Sequence, residues 1–174
     1  LIRSGVNALF VCGTTGESAS LTIAERKQIT ESFIAAVDGR IPIIVHVGHN
    51  CLPDARHLAE HAAASGATAI GAAPPNYFKP ADIAALVDVC EIICQGAPKL
   101  PFFYYHIPVL TGVHLSMPAF LEQAVTRLPS LAGIKFTSEK MSEFIECLRF
   151  EKGEFTIMYG RDEMMLAALA AGAD

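Results

Sequence analysis

Short apolar runs alternate with longer mixed stretches along the whole chain. Asn7–Cys12, Ile41–Val47, Ala67–Ala72, Pro101–Tyr105, Leu131–Thr137 and Phe155–Tyr159 have strand length. They read as strands covered on both faces, because they lack the regular polar positions of a strand with one wet face. Helices are expected between them. Thr22-Ile23-Ala24-Glu25 is a capping box that opens a helix to about Asp38, with Gly39 as its terminator. Pro53 seeds a helix that ends at Gly66. Others are expected from about Asp82 to Gln95, Met117 to Arg127, Ser138 to Phe150 and Arg161 to Ala171, the last capped by Gly172.

Six βα units result, and strict alternation with short connections requires parallel strands joined by helical crossovers. An open doubly wound sheet and a (β/α)8 barrel both satisfy this pattern. No strand leads into GxGxxG, and Gly13-Thr14-Thr15-Gly16 is a different loop, which disfavours a dinucleotide-binding sheet. A complete barrel needs about 250 residues. The 174 residues are therefore expected to form a single partial TIM-barrel domain, residues 1–174, with the first and last strands of the barrel missing. The repeating pattern is cut at both ends, and residue 1 is Leu. Such an open sheet is expected to be inactive by itself, with two exposed edges.

Composition narrows the function classes. A net charge of −5 offers no basic footprint for nucleic acid or an anionic membrane, and no apolar run reaches the length of a membrane span. Cys12, Cys51, Cys90, Cys94 and Cys147 are scattered without a CxxC pair, which suits reduced thiols in a cytoplasmic protein. His57 and His61 stand at i, i+4 in mid-helix and are read as a solvated face. His46 and His49 form only a weak ligand pattern, so no metal is expected.

The chemistry centres on Lys135. An ammonium inside an apolar strand is costly unless paired, solvated or deprotonated, and a neutral amine is a nucleophile. The bland alternative is an edge-strand lysine whose head reaches water. In either architecture, functional groups collect beyond the carboxyl ends of the strands. There the chain carries Thr14, Thr15, His46, His49, Tyr77, Tyr105, Lys135, Thr137, Gly160, Asp162 and Glu163. Tyr105 and Lys135 sit on consecutive strands, within reach of each other across about 5 Å. An amine beside a phenol is what imine chemistry needs. Thr14 and Thr15, with nearby N–H groups, offer an anion site. Asp162 and Glu163 could accept hydrogen bonds from a polyol or simply favour a helix start. His106, by alternation, should point away from the site.

These residues stand in ordered motifs: Gly13-Thr14-Thr15-Gly16-Glu17, Tyr105-His106-Ile107-Pro108 with Thr111-Gly112, Gly133-Ile134-Lys135, and Tyr159-Gly160-Arg161-Asp162-Glu163. Together they resemble the pyruvate-dependent class I aldolase/lyase family that includes dihydrodipicolinate synthase and N-acetylneuraminate lyase. Synthases of that family resemble YNVPxRTG at the tyrosine motif, where the Arg binds a carboxylate; Leu110 stands there instead. The form found here, with Phe78-Lys79-Pro80 after Tyr77, looks like the animal N-acetylneuraminate lyase branch. The resemblance implies cleavage of N-acetylneuraminate (sialic acid) to N-acetylmannosamine and pyruvate, without cofactor, by a homotetramer. It implies Lys135 as the Schiff-base residue and Tyr105 as proton shuttle. Thr14 and Thr15 would hold the carboxylate, with Thr14 also in the relay. Thr137, Gly160, Asp162 and Glu163 would bind the hydroxylated tail, and Tyr77 would reach into a neighbouring subunit's site. Other expectations are a 2-keto-3-deoxy sugar acid aldolase or a catalytically silent member.

Overall fold

The computed structural model describes residues 1–173. The strands are β1 (Leu9–Val11), β2 (Ile43–His46), β3 (Ala69–Ala72), β4 (Phe102–His106), β5 (Leu131–Phe136) and β6 (Thr156–Tyr159). The helices are α1 (Ile23–Val37), α2 (Leu52–Ser65), α3 (Ile83–Cys94), α4 (Pro108–Thr111), α5 (Met117–Arg127), α6 (Met141–Arg149) and α7 (Met165–Ala171). All neighbouring strands pair in parallel, in the order β1-β2-β3-β4-β5-β6. A doubly wound sheet reverses its order at a switch point, whereas a barrel runs sequentially. The curled six-stranded sheet is accordingly part of a (β/α)8 barrel.

Local sequence accounts for the element boundaries. Thr22 Oγ1 accepts the Glu25 N–H at 3.2 Å while Glu25 Oε2 accepts the Thr22 N–H at 2.8 Å, so the capping box of α1 closes in both directions. Asp82 and Ser116 cap α3 and α5 through their side chains. Gly66 ends α2 in the left-handed conformation, which a residue without Cβ adopts at little cost. Two stretches differ from the sequence expectation. Pro108–Thr111 forms the short helix α4, seeded by the proline itself. The last helix begins as a 3-10 turn over Asp162–Met164 before α7.

The strands have two differently used faces. Phe102, Tyr104, Ile134 and Phe136 are buried in the layer between sheet and helices, where Tyr104 packs on Phe120 and Phe136 on Phe144. His106 belongs to this outer layer, 5.1 Å from Phe136, as alternation required. The opposite, inner face carries Phe10, His46, Tyr105 and Lys135. A bulge sets which face the lysine takes. Phe102 pairs with Leu131 but Phe103 pairs with Gly133, so Ala132 is an extra residue in β5. Because side chains alternate with period two, this single insertion brings Lys135 opposite Tyr105 rather than His106.

Candidate active site

β5 is hydrogen-bonded on one side to β4 and on the other to β6, so Lys135 is not on an edge strand. Nor is it sealed in the interior, as an ammonium in an apolar run suggested. It is half-buried, its head resting 3.8 Å from the centroid of the Tyr105 ring and 5.1 Å from that of Phe10. Two aromatic rings offer favourable quadrupole contacts to a cation at this position. Thr137 Oγ1, two residues along, lies 3.5 Å from Nζ. Gly160, after β6, completes the wall: a Cβ there would stand 3.3 Å from Lys135 Nζ and would run into Thr137 Oγ1.

The phenol is tied to the loop after β1. Tyr105 OH and Thr14 Oγ1 are 3.2 Å apart, either able to donate, which makes a proton path from the lysine's neighbour to the loop. Cys12 and Glu17 hold positive φ at 56° and 55° at the two ends of this loop. Such backbone is uncommon outside glycine, and here it turns the chain sharply enough to set Thr14 beside the tyrosine. The Thr14 carbonyl accepts the Glu17 N–H at 2.9 Å. The N–H groups of Thr14 and Thr15 have no backbone partner among the described residues, as an anion site requires.

Phe10 and Arg26 escaped the sequence reading, and His46 was read there only as a strand-end group and a weak ligand candidate. The Phe10 ring lies edge-on to Tyr105 at 5.4 Å and forms a floor beneath phenol and amine. It has room because Gly13 and Gly71 flank it; a Cβ at either would come within 2.9 or 2.8 Å of the ring. His46 is buried edge-on to Tyr105, and its Nε2 accepts the Ala73 N–H at 3.1 Å. Burial, reinforced by nearby Arg26, pulls it down to about 3, so it is a neutral wall and not a base. Arg26, 2% exposed, donates to the carbonyls of His46 (2.7 Å) and Gly48 (3.0 Å) and so pins the carboxyl end of β2. Helical spacing from Ile23 through Arg26 to Thr30 was the available signal for its inward direction.

The remaining expected residues are dispersed. Thr15, Asp162 and Glu163 are exposed, and Glu163 pairs with Arg161 at 3.7 Å. Asp162 opens the 3-10 turn after β6. Tyr77 is 78% exposed and edge-on to Phe78 at 4.9 Å. His61 is engaged with Glu31 at 2.8 Å, bridging α2 and α1, and His57 is exposed. A cavity of about 350 Å³ borders the site through Thr14 and His46, with Leu110 and Arg26 in its wall. Lys135 and Tyr105 do not line it.

An amine held against a phenol, a hydroxyl relay and free N–H groups can form and protonate an imine with a 2-oxo acid. The Dihydrodipicolinate synthetase family model matches residues 1–174. N-acetylneuraminate lyase B of Xenopus laevis is 44% identical over 172 residues, covering 98% of this chain and 64% of the relative. N-acetylneuraminate lyase of Gallus gallus is 39% identical over 174 residues, covering 99% and 56%. Among solved structures, Proteus mirabilis N-acetylneuraminate lyase superposes with a TM-score of 0.96 at 38% identity, over 99% of this chain and 58% of that one. A dihydrodipicolinate synthase superposes with a TM-score of 0.89 at 28% identity, again over 99% and 58%. The chain thus spans 56–64% of the length of these curated relatives. With its sequential parallel sheet and its lysine–tyrosine–threonine group, the chain belongs to the dihydrodipicolinate synthetase family.

Proposed function

We propose that the whole protein is a Schiff-base lyase that cleaves N-acetylneuraminate to N-acetylmannosamine and pyruvate. The observation that carries the chemistry is the lysine head against the Tyr105 ring, with the Tyr105 hydroxyl 3.2 Å from Thr14 Oγ1. Lys135 Nζ attacks the C2 ketone of the open-chain sugar, and loss of water from the carbinolamine gives a protonated imine. Tyr105, having given its proton to the hydroxyl that leaves the carbinolamine as water, takes the proton of the C4 hydroxyl as the C3–C4 bond breaks, and the bonding pair passes into the imine. The aldehyde leaves as N-acetylmannosamine and an enamine remains. Return of the proton to C3 and hydrolysis release pyruvate and restore the amine. The protonated imine is itself the electron sink, so these steps need no cofactor.

Thr14 and Thr15 hold the carboxylate in this reading, while Thr137, Gly160, Asp162 and Glu163 receive the hydroxylated tail. Leu110, where a carboxylate-binding Arg would suit a second acidic substrate, favours the lyase over the synthase reaction. The relatives named N-acetylneuraminate lyase support the same choice. The proposal extends to a cytoplasmic homotetramer in which Tyr77 reaches a neighbouring subunit's site. Its exposure leaves it available for that, and five free cysteines suit a reducing compartment. No described helix is long and apolar enough to cross a membrane.

Pyruvate release by the whole protein, with N-acetylneuraminate and 2-keto-3-deoxygluconate compared at equal concentration, tests the assignment. Faster turnover of N-acetylneuraminate is expected. Preference for the keto-deoxy acid would make it another pyruvate-dependent aldolase, and no turnover of either would make it a silent member.

A further inference from the structure

His49, Cys51 and Asp54 gather at the start of α2, and the reaction above uses none of them. One ligating atom from each lies within 4.8 Å of the other two, with His49 Nδ1 3.8 Å from Asp54 Oδ2. We propose that these residues form a binding site for one thiophilic divalent cation, Zn2+ by its ligand chemistry, completed by water.

The donor set is the first argument. A thiolate, an imidazole and a carboxylate are the three side-chain ligands that Zn2+ takes, at about 2.3, 2.0–2.1 and 2.0–2.2 Å. Tetrahedral bonds of that length place ligand atoms about 3.3–3.8 Å apart. The cluster therefore needs to close by about 1 Å, a small rotation for side chains that reach solvent.

The second argument is preparation. His49 Nδ1 accepts the Cys51 N–H at 3.0 Å, which fixes it as the unprotonated ring nitrogen, and a cation bound there would take its lone pair over from that N–H. Cys51 is the N-cap of α2 and Asp54 lies in its first turn, so one short segment presents both donors beside His49. The loop is fixed on both sides. Arg26 holds the Gly48 carbonyl at 3.0 Å, and Asn50 Oδ1 accepts the N–H groups of Asn76 and Tyr77 at 2.9 and 3.2 Å.

Competing ligands are removed by burial. Cys12, Cys90, Cys94 and Cys147 are buried, and burial pushes Cys94 up to about 11 and Cys147 up to about 12. Cys51 is the exposed one of the five thiols. His46, the other histidine at this strand end, is buried against Phe10 and Tyr105. The strand-and-loop pair His46/His49 thus gives way to His49-Cys51-Asp54.

The test is titration of the metal-free full chain with Zn2+ against a chromophoric zinc indicator, and separately with Co2+. One Zn2+ per chain is expected, and a Co2+ adduct with tetrahedral ligand-field bands and a sulfur-to-cobalt charge-transfer band. Cys51→Ser should abolish the charge-transfer band. His49→Gln and Asp54→Asn should each weaken Zn2+ binding by at least about tenfold. Cys147→Ser should leave both signals unchanged. A Cys51→Ser chain that keeps the charge-transfer band, or a parent chain that binds Zn2+ no more tightly than that variant, overturns the proposal.

Discussion

Lys135 Nζ stands 3.8 Å from the centre of the Tyr105 ring because the two residues are direct register partners on β5 and β4. One extra residue at Ala132 makes them so. The tyrosine then supplies two separable things: a ring that packs the amine, and a hydroxyl that reaches Thr14.

Tyr105→Phe separates them. The ring remains and the hydroxyl is lost, so kcat of the whole protein should fall by about 10²–10⁴. KM should stay within a few-fold, and the lysine should still be trapped by pyruvate and borohydride. Steady-state kinetics with trapping in parallel reads this out. A variant that loses only KM would assign the phenol to binding and not to proton transfer.

Gly160→Ala tests how closely β6 approaches the amine. The new methyl would meet Thr137 Oγ1 and stand 3.3 Å from Lys135 Nζ. A displacement of about 1 Å at a reacting group costs on the order of a hundredfold in rate. Turnover should therefore collapse in a chain whose circular dichroism is unchanged. Normal turnover would show that this wall does not position the lysine.

Arg26→Met should lower thermal stability, because it strips the carbonyls of His46 and Gly48 of their donors. A buried unsatisfied acceptor costs about 1–3 kcal/mol. Relief from burying the guanidinium offsets part of that, so a net loss of about 2 kcal/mol is expected. A melting temperature at or above that of the parent would mean that the charge costs more than its hydrogen bonds return.

Two buried histidines predict an acid limb of stability. Burial pulls His46 down to about 3 and His106 to about 4. In the unfolded chain both titrate near 6.5. Above that pH both states are neutral there and neither residue affects stability. As pH falls below about 6.5 the unfolded chain binds two protons that the folded chain refuses, so stability is lost at about 1.4 kcal/mol per pH unit for each. The His106 contribution levels off near pH 4 and that of His46 near pH 3. Melting temperature against pH should show this slope, and His106→Asn should roughly halve it. A flat profile between pH 6.5 and 4.5 would contradict the assignment.

The order of strands, the capping box at Thr22 and the outward direction of His106 were legible because each depends on local pattern. So was the meeting of Tyr105 and Lys135, since consecutive strands of a sequential sheet are neighbours. The bulge at Ala132 was not read, although Gly133 inside an apolar strand is the residue that often marks one. Arg26 was hidden by its charge: a guanidinium on a helix is ordinarily solvated, and only the carbonyls at the end of β2 draw it inward. Asp162 and Glu163 share a motif with Gly160, yet the 3-10 turn leaves both side chains in solvent, and Glu163 faces Arg161.

The central claim is that Lys135 is the nucleophile. It is tested most directly by adding borohydride to the whole protein in the presence of pyruvate and locating the adduct by peptide mass spectrometry. A stable secondary amine on Lys135, absent without pyruvate and accompanied by loss of activity, is the predicted result. Full inactivation with the modification on another residue, or a protein that turns over sialic acid yet forms no adduct, would contradict it.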